Sequence, residues 1–137
     1  MTLSKKLEKL IKSSPEILPV KTEQGILVGT VLIVSQGFNK DLYKKGKLVY
    51  SGINLNAVAI KMANLLAKNL ILNCDKLYQL DQEYGKWFTD SQMMRSAYEK
   101  AVKKKDHDRA DVLWARYIES RERTMSCKIR AEALAKV

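Results

Sequence analysis

The chain has 137 residues, of which 46% are hydrophobic and 29% charged, and its formal net charge is +10. This length suits one domain with a core of its own. The sequence contains no run of about 18 apolar residues, and its N-terminus lacks the apolar region of a secretory signal. We therefore expect a cytoplasmic protein that does not associate with membranes.

The cysteine and histidine content argues against metal and thiol chemistry. Cys74 and Cys127 form no CxxC pair, and with His107 as the single histidine they cannot complete a zinc site. Neither cysteine has an identifiable base, so we expect two buried free thiols in a reducing compartment. The sequence also lacks a glycine-rich phosphate loop, a dinucleotide fingerprint and a paired-carboxylate motif. It predicts no metal, no cofactor and no enzymatic activity.

The positive charge is concentrated in the N-terminal half. Residues 1–73 hold 11 Lys or Arg against 4 Asp or Glu, a net +7, whereas residues 74–137 hold 14 against 11, a net +3. Such an excess is typical of proteins with acidic partners, but it does not distinguish a nucleic acid from an acidic protein.

The first predicted element is an amphipathic helix in TLSKKLEKLIKS, residues 2–13. Its leucines and Ile11 fall on one face, and Pro15 follows its end. A helix of this kind can cover the sheet of its own domain or lie on an anionic membrane, and we predict the first arrangement.

The next predicted elements are strands. The segment GILVGTVLIVS, residues 25–35, is rich in β-branched residues and predicts a strand that folds back at Gly29. DLYK and KLVYS then flank Lys45-Gly46, which predicts a hairpin because glycine readily adopts the positive φ of a tight turn.

A helix is predicted after the strands, in NLNAVAIKMANLLAKN, residues 54–69. Its apolar residues recur with helical spacing, and Asn54 or Asn56 can cap it. Residues 1–73 are therefore predicted to form a basic unit of helix, β-meander and helix.

The rest of the chain repeats its seam positions every seven residues, which predicts two long helices packed as in a coiled coil. The run KKKDHD, residues 103–108, is the predicted corner of an antiparallel hairpin over residues 74–137. Residues that face each other then have numbers that sum to 211, and we expect the hairpin and residues 1–73 to form one compact unit. The two series are Leu77, Leu80, Tyr84, Trp87, Ser91, Met94, Tyr98 and Ala101, and Ala110, Leu113, Tyr117, Ser120, Thr124, Cys127, Ala131 and Leu134.

This register predicts particular neighbours across the hairpin. Ser91 faces Ser120 in a polar layer, and Trp87 faces Thr124. The flanking pairs are Asp81 with Lys128, Glu83 with Arg130, Asp90 with Arg123, and Arg95 with Trp114. The segment TDSQ, residues 89–92, resembles a capping box at which the first helix would kink or restart.

The corner carries a cap and a group of basic residues. Asp106 or Asp108 is placed to cap the second long helix, so His107 is assigned no chemistry. The candidate contacts for a nucleic acid or another anionic partner are Lys103, Lys104, Lys105, Arg109 and Arg116. The alternative is a solvated corner, because neighbouring acidic residues weaken the local field.

A second basic patch lies in NKDLYKKGKLVYS, residues 39–51, on the predicted hairpin. Lysines that alternate with aromatic residues can follow phosphates while the rings stack on bases. The candidate contacts are Lys40, Tyr43, Lys44, Lys45 and Lys47. The alternative is that these lysines protect an edge strand against aggregation.

Two C-terminal segments, LYQLDQEYGKWFTDSQMM and KDHDRADVLWARYIESRER, follow the basic strand–helix unit. In this combination the chain resembles, over most of its length, small proteins of tailed phages of marine bacteria. The resemblance rests on packing and charged residues. It implies a phage setting and no activity.

The sequence therefore predicts an α+β protein: a small basic β-meander with flanking helices, followed by a long antiparallel helical hairpin. We expect a non-enzymatic structural or assembly protein, a component of a phage particle, whose partners are other subunits of a homo- or hetero-oligomer. The alternative is an accessory protein that binds DNA or RNA through the basic patches. The expected location is the host cytoplasm or the virion.

Overall fold

The computed structural model describes residues 15–136 together with the single residue Lys5, so the amphipathic helix predicted for residues 2–13 lies, apart from Lys5, outside the described residues. The described residues form a five-stranded antiparallel sheet followed by helices, which is the predicted α+β fold. The elements are β1 (Val20–Lys21), β2 (Ile26–Val28), β3 (Val31–Gln36), β4 (Asn39–Lys44), β5 (Lys47–Ile53), α1 (Asn56–Ala67), α2 (Ile71–Lys103) and α3 (His107–Ala135).

The strands form a meander in which each pairs with its neighbours in sequence, in the order β1-β2-β3-β4-β5. Both predicted turns are confirmed. Gly29 has a φ of 60°, and Lys45 and Gly46 form a two-residue turn with φ of 53° and 76°. Positive φ at both central residues suits the right-handed twist of the flanking strands. The two-residue edge strand β1 is not among the predicted elements, because so short a segment carries no periodic signal.

Helix α1 lies against the inner face of the sheet and forms the centre of the core. Val31, Ile33 and Leu42 of the sheet are buried in one cluster with Val58 and Met62 of the helix. The same cluster includes residues of α2 and α3. The hairpin therefore packs back on the sheet unit, and α1 is covered on both sides.

A lysine from the sheet holds the C-terminal end of α1. Lys44 Nζ donates to the carbonyl oxygen of Leu66 at 2.8 Å and to Asn69 Oδ1 at 2.7 Å. The Leu66 carbonyl oxygen also accepts from Asn69 N at 3.0 Å, and the lysine adds a cation, which suits this end of the helix dipole. Lys44 therefore has a structural role.

An aspartate from α2 holds the N-terminal end of α1, and the predicted asparagine cap is wrong. The cap position is Leu55, and no side chain of the helix start caps it. Asp81 Oδ2 accepts from Asn54 N at 2.8 Å and Asn54 Nδ2 at 3.1 Å, and its Oδ1 accepts from Leu55 N at 2.9 Å. Burial raises the pKa of Asp81, although these hydrogen bonds and the charge of Lys40 oppose the shift. Gly85 permits the close approach, because an added Cβ would lie 2.6 Å from Asn54 Nδ2.

Helices α2 and α3 form the predicted antiparallel hairpin. Helix α2 begins at Ile71, so the boundary predicted at residue 73 falls inside its first turn. The corner is shorter than predicted and spans residues 104–106. Asp106 caps α3, because its Oδ1 accepts from the Arg109 amide at 3.3 Å. This cap is one of the two that the sequence indicates.

The predicted restart of the first long helix is wrong, because α2 runs unbroken through residues 89–92. Thr89 Oγ1 donates to the carbonyl oxygen of Gly85 at 2.9 Å, and Ser91 Oγ donates to that of Phe88 at 2.7 Å. Both hydroxyl groups bond backwards along the helix, as Ser and Thr do in helix interiors, and they do not cap a new one.

Contacts across the hairpin agree with a register near 211. Three pairs of residues have numbers that sum to 213, 212 and 210: Glu83 with Arg130 at 3.8 Å, Tyr98 with Trp114 at 5.1 Å between ring centroids, and Trp87 with the Arg123 guanidinium at 4.5 Å from the ring centroid. Facing residues thus differ by at most two positions from the prediction.

Three of the four predicted flanking pairs are wrong. Asp81 is committed to the start of α1 and does not pair with Lys128. Asp90 accepts from Ser120 Oγ across the seam. Arg123 and Arg95 pair with glutamates one turn away in their own helices, at 2.8 and 3.4 Å. Residues four apart on a helix are neighbours, so these local pairs compete with those across the hairpin.

Candidate functional site

Helix α3 packs through small residues and exposes large ones. Its seam toward α2 contains the buried residues Ser120, Thr124 and Cys127. Four large apolar residues recur at intervals of four and seven, which places them on one other face of the helix. These residues form the α3 stripe: Trp114, Ile118, Met125 and Ile129. Trp114, Met125 and Ile129 are 47%, 47% and 62% exposed.

A groove of about 560 Å³ runs along the C-terminal half of the α3 stripe. Ile118, Met125 and Ile129 form its apolar floor, and Arg121 and Glu122 stand at its edge. An apolar floor with charges of both signs beside it is typical of a surface that receives an amphipathic helix.

The face of the sheet opposite α1 carries a second apolar surface. The strand registers pair Val20 with Leu27, Leu27 with Leu32, Leu32 with Tyr43, and Tyr43 with Leu48. These five residues, one from each strand, form the outer row. Val20, Leu27 and Leu48 are 57%, 36% and 53% exposed. The five residues share this face because alternate residues of a strand point to opposite faces of the sheet.

The structure places the candidate residues of the β4–β5 hairpin on different surfaces. Lys44 reaches the end of α1, and Lys40 Nζ donates to a backbone carbonyl of the β5–α1 connection at 3.0 Å. Tyr43 belongs to the outer row, on the other face of β4. Lys45 and Lys47 are exposed at the turn. Tyr43 and Lys45 line one depression of the outer face, whereas Lys40 and Lys44 bond on the other side of β4. The structure therefore brings only part of this group together, and contact of Lys45 and Lys47 with nucleic acid stays a prediction.

The five candidate residues of the corner are all exposed: Lys103, Lys104, Lys105, Arg109 and Arg116. Lys104 and Arg109 line a cleft of about 530 Å³ together with Lys100 and Asp106, whereas Arg116 does not. Within residues 15–136, these three cations of the cleft make no ion pair. The corner thus offers one concave basic surface, although Asp106 lies within it.

Both cysteines are buried and free, as predicted. Cys74 Sγ donates to the carbonyl oxygen of Met62 at 3.4 Å. Burial, and then the charge of Asp75, raises the pKa of the Cys74 thiol to about 12. Such a thiol stays protonated at neutral pH and is a poor nucleophile. Among the described residues, no group of three His, Cys, Asp or Glu could hold a metal ion.

Sequence reasoning missed both apolar surfaces. The α3 stripe had a signal, because large apolar residues occupy helical positions outside the seam series. The outer row had a weaker one, since its members line up only when four strand registers are known. A one-residue change in any register would move that strand's member to the inner face.

Comparisons of the chain with protein-family models, curated proteins and solved structures find no match. None of the helices within residues 15–136 is long and apolar enough to cross a membrane. Inference about function therefore depends on the fold and its surfaces: an α+β fold in which α3 and the outer face of the sheet expose apolar residues.

Proposed function

We propose that this is a non-enzymatic structural or assembly protein that acts through protein–protein contacts, with the α3 stripe as a contact surface. The observation that carries the proposal is the exposure of Trp114, Met125 and Ile129 on a helix whose buried seam is mostly small. Apolar surface in water costs roughly 25 cal/mol per Å². A second apolar surface packed on the stripe would remove this cost.

The groove indicates the kind of partner. Its floor is apolar over Ile118, Met125 and Ile129, a length of about three helical turns. Because α3 alone lines the groove, a partner helix with an apolar stripe of its own would pack along α3. Arg121 and Glu122 would then favour a partner with charges of both signs beside that stripe.

The resemblance to proteins of tailed phages supplies the setting of the proposal. The chain would be a component of the phage particle, present in the host cytoplasm before assembly and in the virion afterwards. Its partners would be other subunits of that particle. Neither a cofactor nor a substrate enters this proposal.

A nucleic-acid-binding accessory protein is the second candidate, and the basic cleft at the corner favours it. Lys100, Lys104 and Arg109 could contact neighbouring phosphates. This candidate is weaker because Lys40 and Lys44, two of the expected phosphate contacts, bond within the protein.

The experiment replaces the exposed part of the stripe. In the phage that encodes the chain, tagged wild-type protein and the double variant Met125→Glu, Ile129→Glu are expressed during infection, and purified particles are assayed for the tag. We expect the wild type in the particles and the variant in the unassembled fraction. A charged group at these positions would lose its water on binding without gaining a partner.

Val112→Glu is the matched control, because Val112 is an exposed apolar residue of the same helix, 59% exposed, outside the stripe and the seam. It should enter particles like the wild type. Far-UV circular dichroism checks that all three proteins are equally helical. Absence of the wild-type chain from particles, or equal incorporation of the double variant, would contradict the proposal.

A further inference from the structure

We propose that residues 2–13, the predicted amphipathic helix, pack with their apolar face against α1, on the side of α1 turned away from the hairpin, and so close the core of their own chain. We call this segment the strap. The strap uses no residue of the α3 stripe and does not depend on the particle partner proposed above.

The N-terminal end of the described range is fixed to α1. Asn64 of α1, which is 3% exposed, binds the backbone of Ile17 twice: its Oδ1 accepts from Ile17 N at 3.3 Å, and its Nδ2 donates to the carbonyl oxygen of Ile17 at 2.8 Å. Glu16 forms an ion pair of 3.1 Å with Lys61, whose side chain is 8% exposed. Lys61 and Asn64 lie about one helical turn apart, so two consecutive residues of the chain are held along one side of α1.

This side of α1 is turned away from the hairpin. Asn64 is two residues from Met62, which is fully buried in the core, and side chains two apart on a helix point in nearly opposite directions. Helix α2 lies at the β5 edge of the sheet, where the Tyr78 hydroxyl donates to the carbonyl oxygen of Ser51 at 3.1 Å. The side of α1 that carries Asn64 is therefore next to the other half of the sheet, which contains β1 and β2.

Half-buried isoleucines surround this place. Ile17, Ile26 of β2 and Ile60 of α1 pack on the core but stay partly exposed. Ile60 precedes Asn64 by about one turn on α1, and Ile26 belongs to the inner face because its neighbour Leu27 belongs to the outer row. Apolar side chains that pack on these three isoleucines would remove more of their surface from water.

The sequence of the strap suits this place. Its apolar residues share one helical face, Leu3, Leu7, Leu10 and Ile11, and most of its lysines, Lys5, Lys9 and Lys12, lie on the opposite face. Lys5, the one described residue of the strap, is helical and exposed, as this arrangement requires. The 12 residues of the strap form a helix of about 18 Å, the same length as α1 with its 12 residues.

The link between the strap and α1 is too short for the outer row to be the site. Ser14 and Pro15 alone separate the strap from Glu16. From residue 13 to residue 16 an extended chain spans at most about 11 Å, and a helix is itself about 10 Å wide, so the strap cannot pass around the sheet to the outer face. So short a link also gives the strap a roughly millimolar effective concentration at α1, which favours it over the strap of a second copy.

The first experiment measures the accessibility of thiols in the full chain. Leu7→Cys and Leu10→Cys, on the apolar face, should react with a maleimide at least about tenfold more slowly than Lys5→Cys and Lys9→Cys, because a docked face reacts only when it opens. The buried native cysteines should not react, and in urea all four variants should react alike. Equal rates on the two faces without urea would overturn the inference. Protection that appears only at high protein concentration would overturn it too, since it would come from a second copy.

The second experiment locates the strap. Ala57 is exposed on α1, about one turn before Lys61, and Leu27 is exposed on the outer row, so each can carry a second cysteine. A bis-maleimide about 10 Å long should link Leu10→Cys to Ala57→Cys within one chain several times faster than to Leu27→Cys, because packed helices lie about 8–10 Å apart. Equal rates, or faster linkage to Leu27→Cys, would show that the strap does not pack on α1.

The third experiment tests a lipid surface as the occupant of the apolar face. The double variants Leu7→Asp, Leu10→Asp and Lys5→Ala, Lys9→Ala change the net charge equally, and each is sedimented with vesicles of phosphatidylcholine and phosphatidylserine. We expect equal binding of the two variants, because a docked strap offers lipid only its charge. Weaker binding of the aspartate variant would assign the apolar face to lipid and overturn the inference. Neither result would affect the particle assay of the α3 stripe, so the two proposals can fail separately.

Discussion

Asp81 is the residue whose replacement tests the fold most directly, because it joins the hairpin to the start of α1. It is fully buried, and three N–H groups of Asn54 and Leu55 donate to its two oxygens. Asp81→Ala removes both acceptors. The backbone amides of Asn54 and Leu55 then have no acceptor and only limited access to water.

The expected loss of stability in Asp81→Ala follows from the two backbone amides that lose their acceptor. An unsatisfied buried donor costs about 1–3 kcal/mol, so two of them should lower the free energy of unfolding by about 2–6 kcal/mol. Asp81→Asn keeps the volume and one oxygen, but its NH₂ group faces one of the donors. We expect it to lose about 1–3 kcal/mol, which gives the order wild type, Asp81→Asn, Asp81→Ala.

Urea unfolding followed by far-UV circular dichroism measures these differences. Glu83→Ala is the control, since the Glu83–Arg130 pair, 3.8 Å long and mostly exposed, should contribute no more than about 1 kcal/mol. If Asp81→Ala unfolds within about 0.5 kcal/mol of the wild type, the amides must find other acceptors. The account of how α2 is joined to α1 would then be wrong.

Two further predictions concern the core. Thr124 is buried in the seam, so Thr124→Trp should overpack it and lower the free energy of unfolding by about 1–3 kcal/mol. Thr124→Ser is the conservative control. An unchanged urea midpoint in Thr124→Trp would count against the predicted seam. Cys74, with its pKa raised to about 12, should make the protein less stable in alkali. Below a pH of about 8.5 the Cys74 thiol is protonated in both the folded and the unfolded protein. Above that pH the thiol ionises in the unfolded chain first. The free energy of unfolding should therefore fall by up to about 1.4 kcal/mol per pH unit until about pH 12. Urea unfolding at pH 8 and pH 10.5 measures this loss of stability. Between these pH values the free energy of unfolding should fall less in Cys74→Ala than in the wild type. Equal falls in the two proteins would show that Cys74 does not cause the alkaline destabilisation.

The sequence correctly predicted the features that are determined by residues close to one another along the chain. The turns at Gly29 and Lys45-Gly46 follow from residues that tolerate positive φ, and the corner cap at Asp106 follows from its own helix start. The seam of α3 follows from a strict seven-residue repeat. In each case the signal and the structure it predicts lie within a few residues or one repeat of each other.

The wrong predictions for Asp81 and Lys44 have one cause: the sequence does not show which other element packs against the side of a helix or strand. The seven-residue repeat assigns Asp81 to the flank of the hairpin and therefore to Lys128, but it does not record that α1 and the sheet cover that flank. Lys44 shows the same limit, because alternation along a strand does not identify the face that meets a helix. For this reason the sequence pattern places Asp81 and Lys44 among the surface charges, whereas in the structure both hold α1 in place.

The role of Lys44 also changes what a test of nucleic-acid binding should target. With Lys40 and Lys44 bonded internally, the β4–β5 turn offers Lys45 and Lys47, and two phosphate contacts give a slope of only about −2 in log affinity against log salt. The corner offers four or more cations and a slope near −4. Changing residues 103–105 to Gln should therefore weaken any DNA binding more than changing Lys45 and Lys47.

Because the assembly proposal requires no phosphate contact, we expect wild-type DNA affinity weaker than micromolar at physiological salt. Fluorescence anisotropy with labelled DNA at several salt concentrations measures both quantities, and a tighter affinity that is lost in the corner variant would favour the nucleic-acid candidate over assembly.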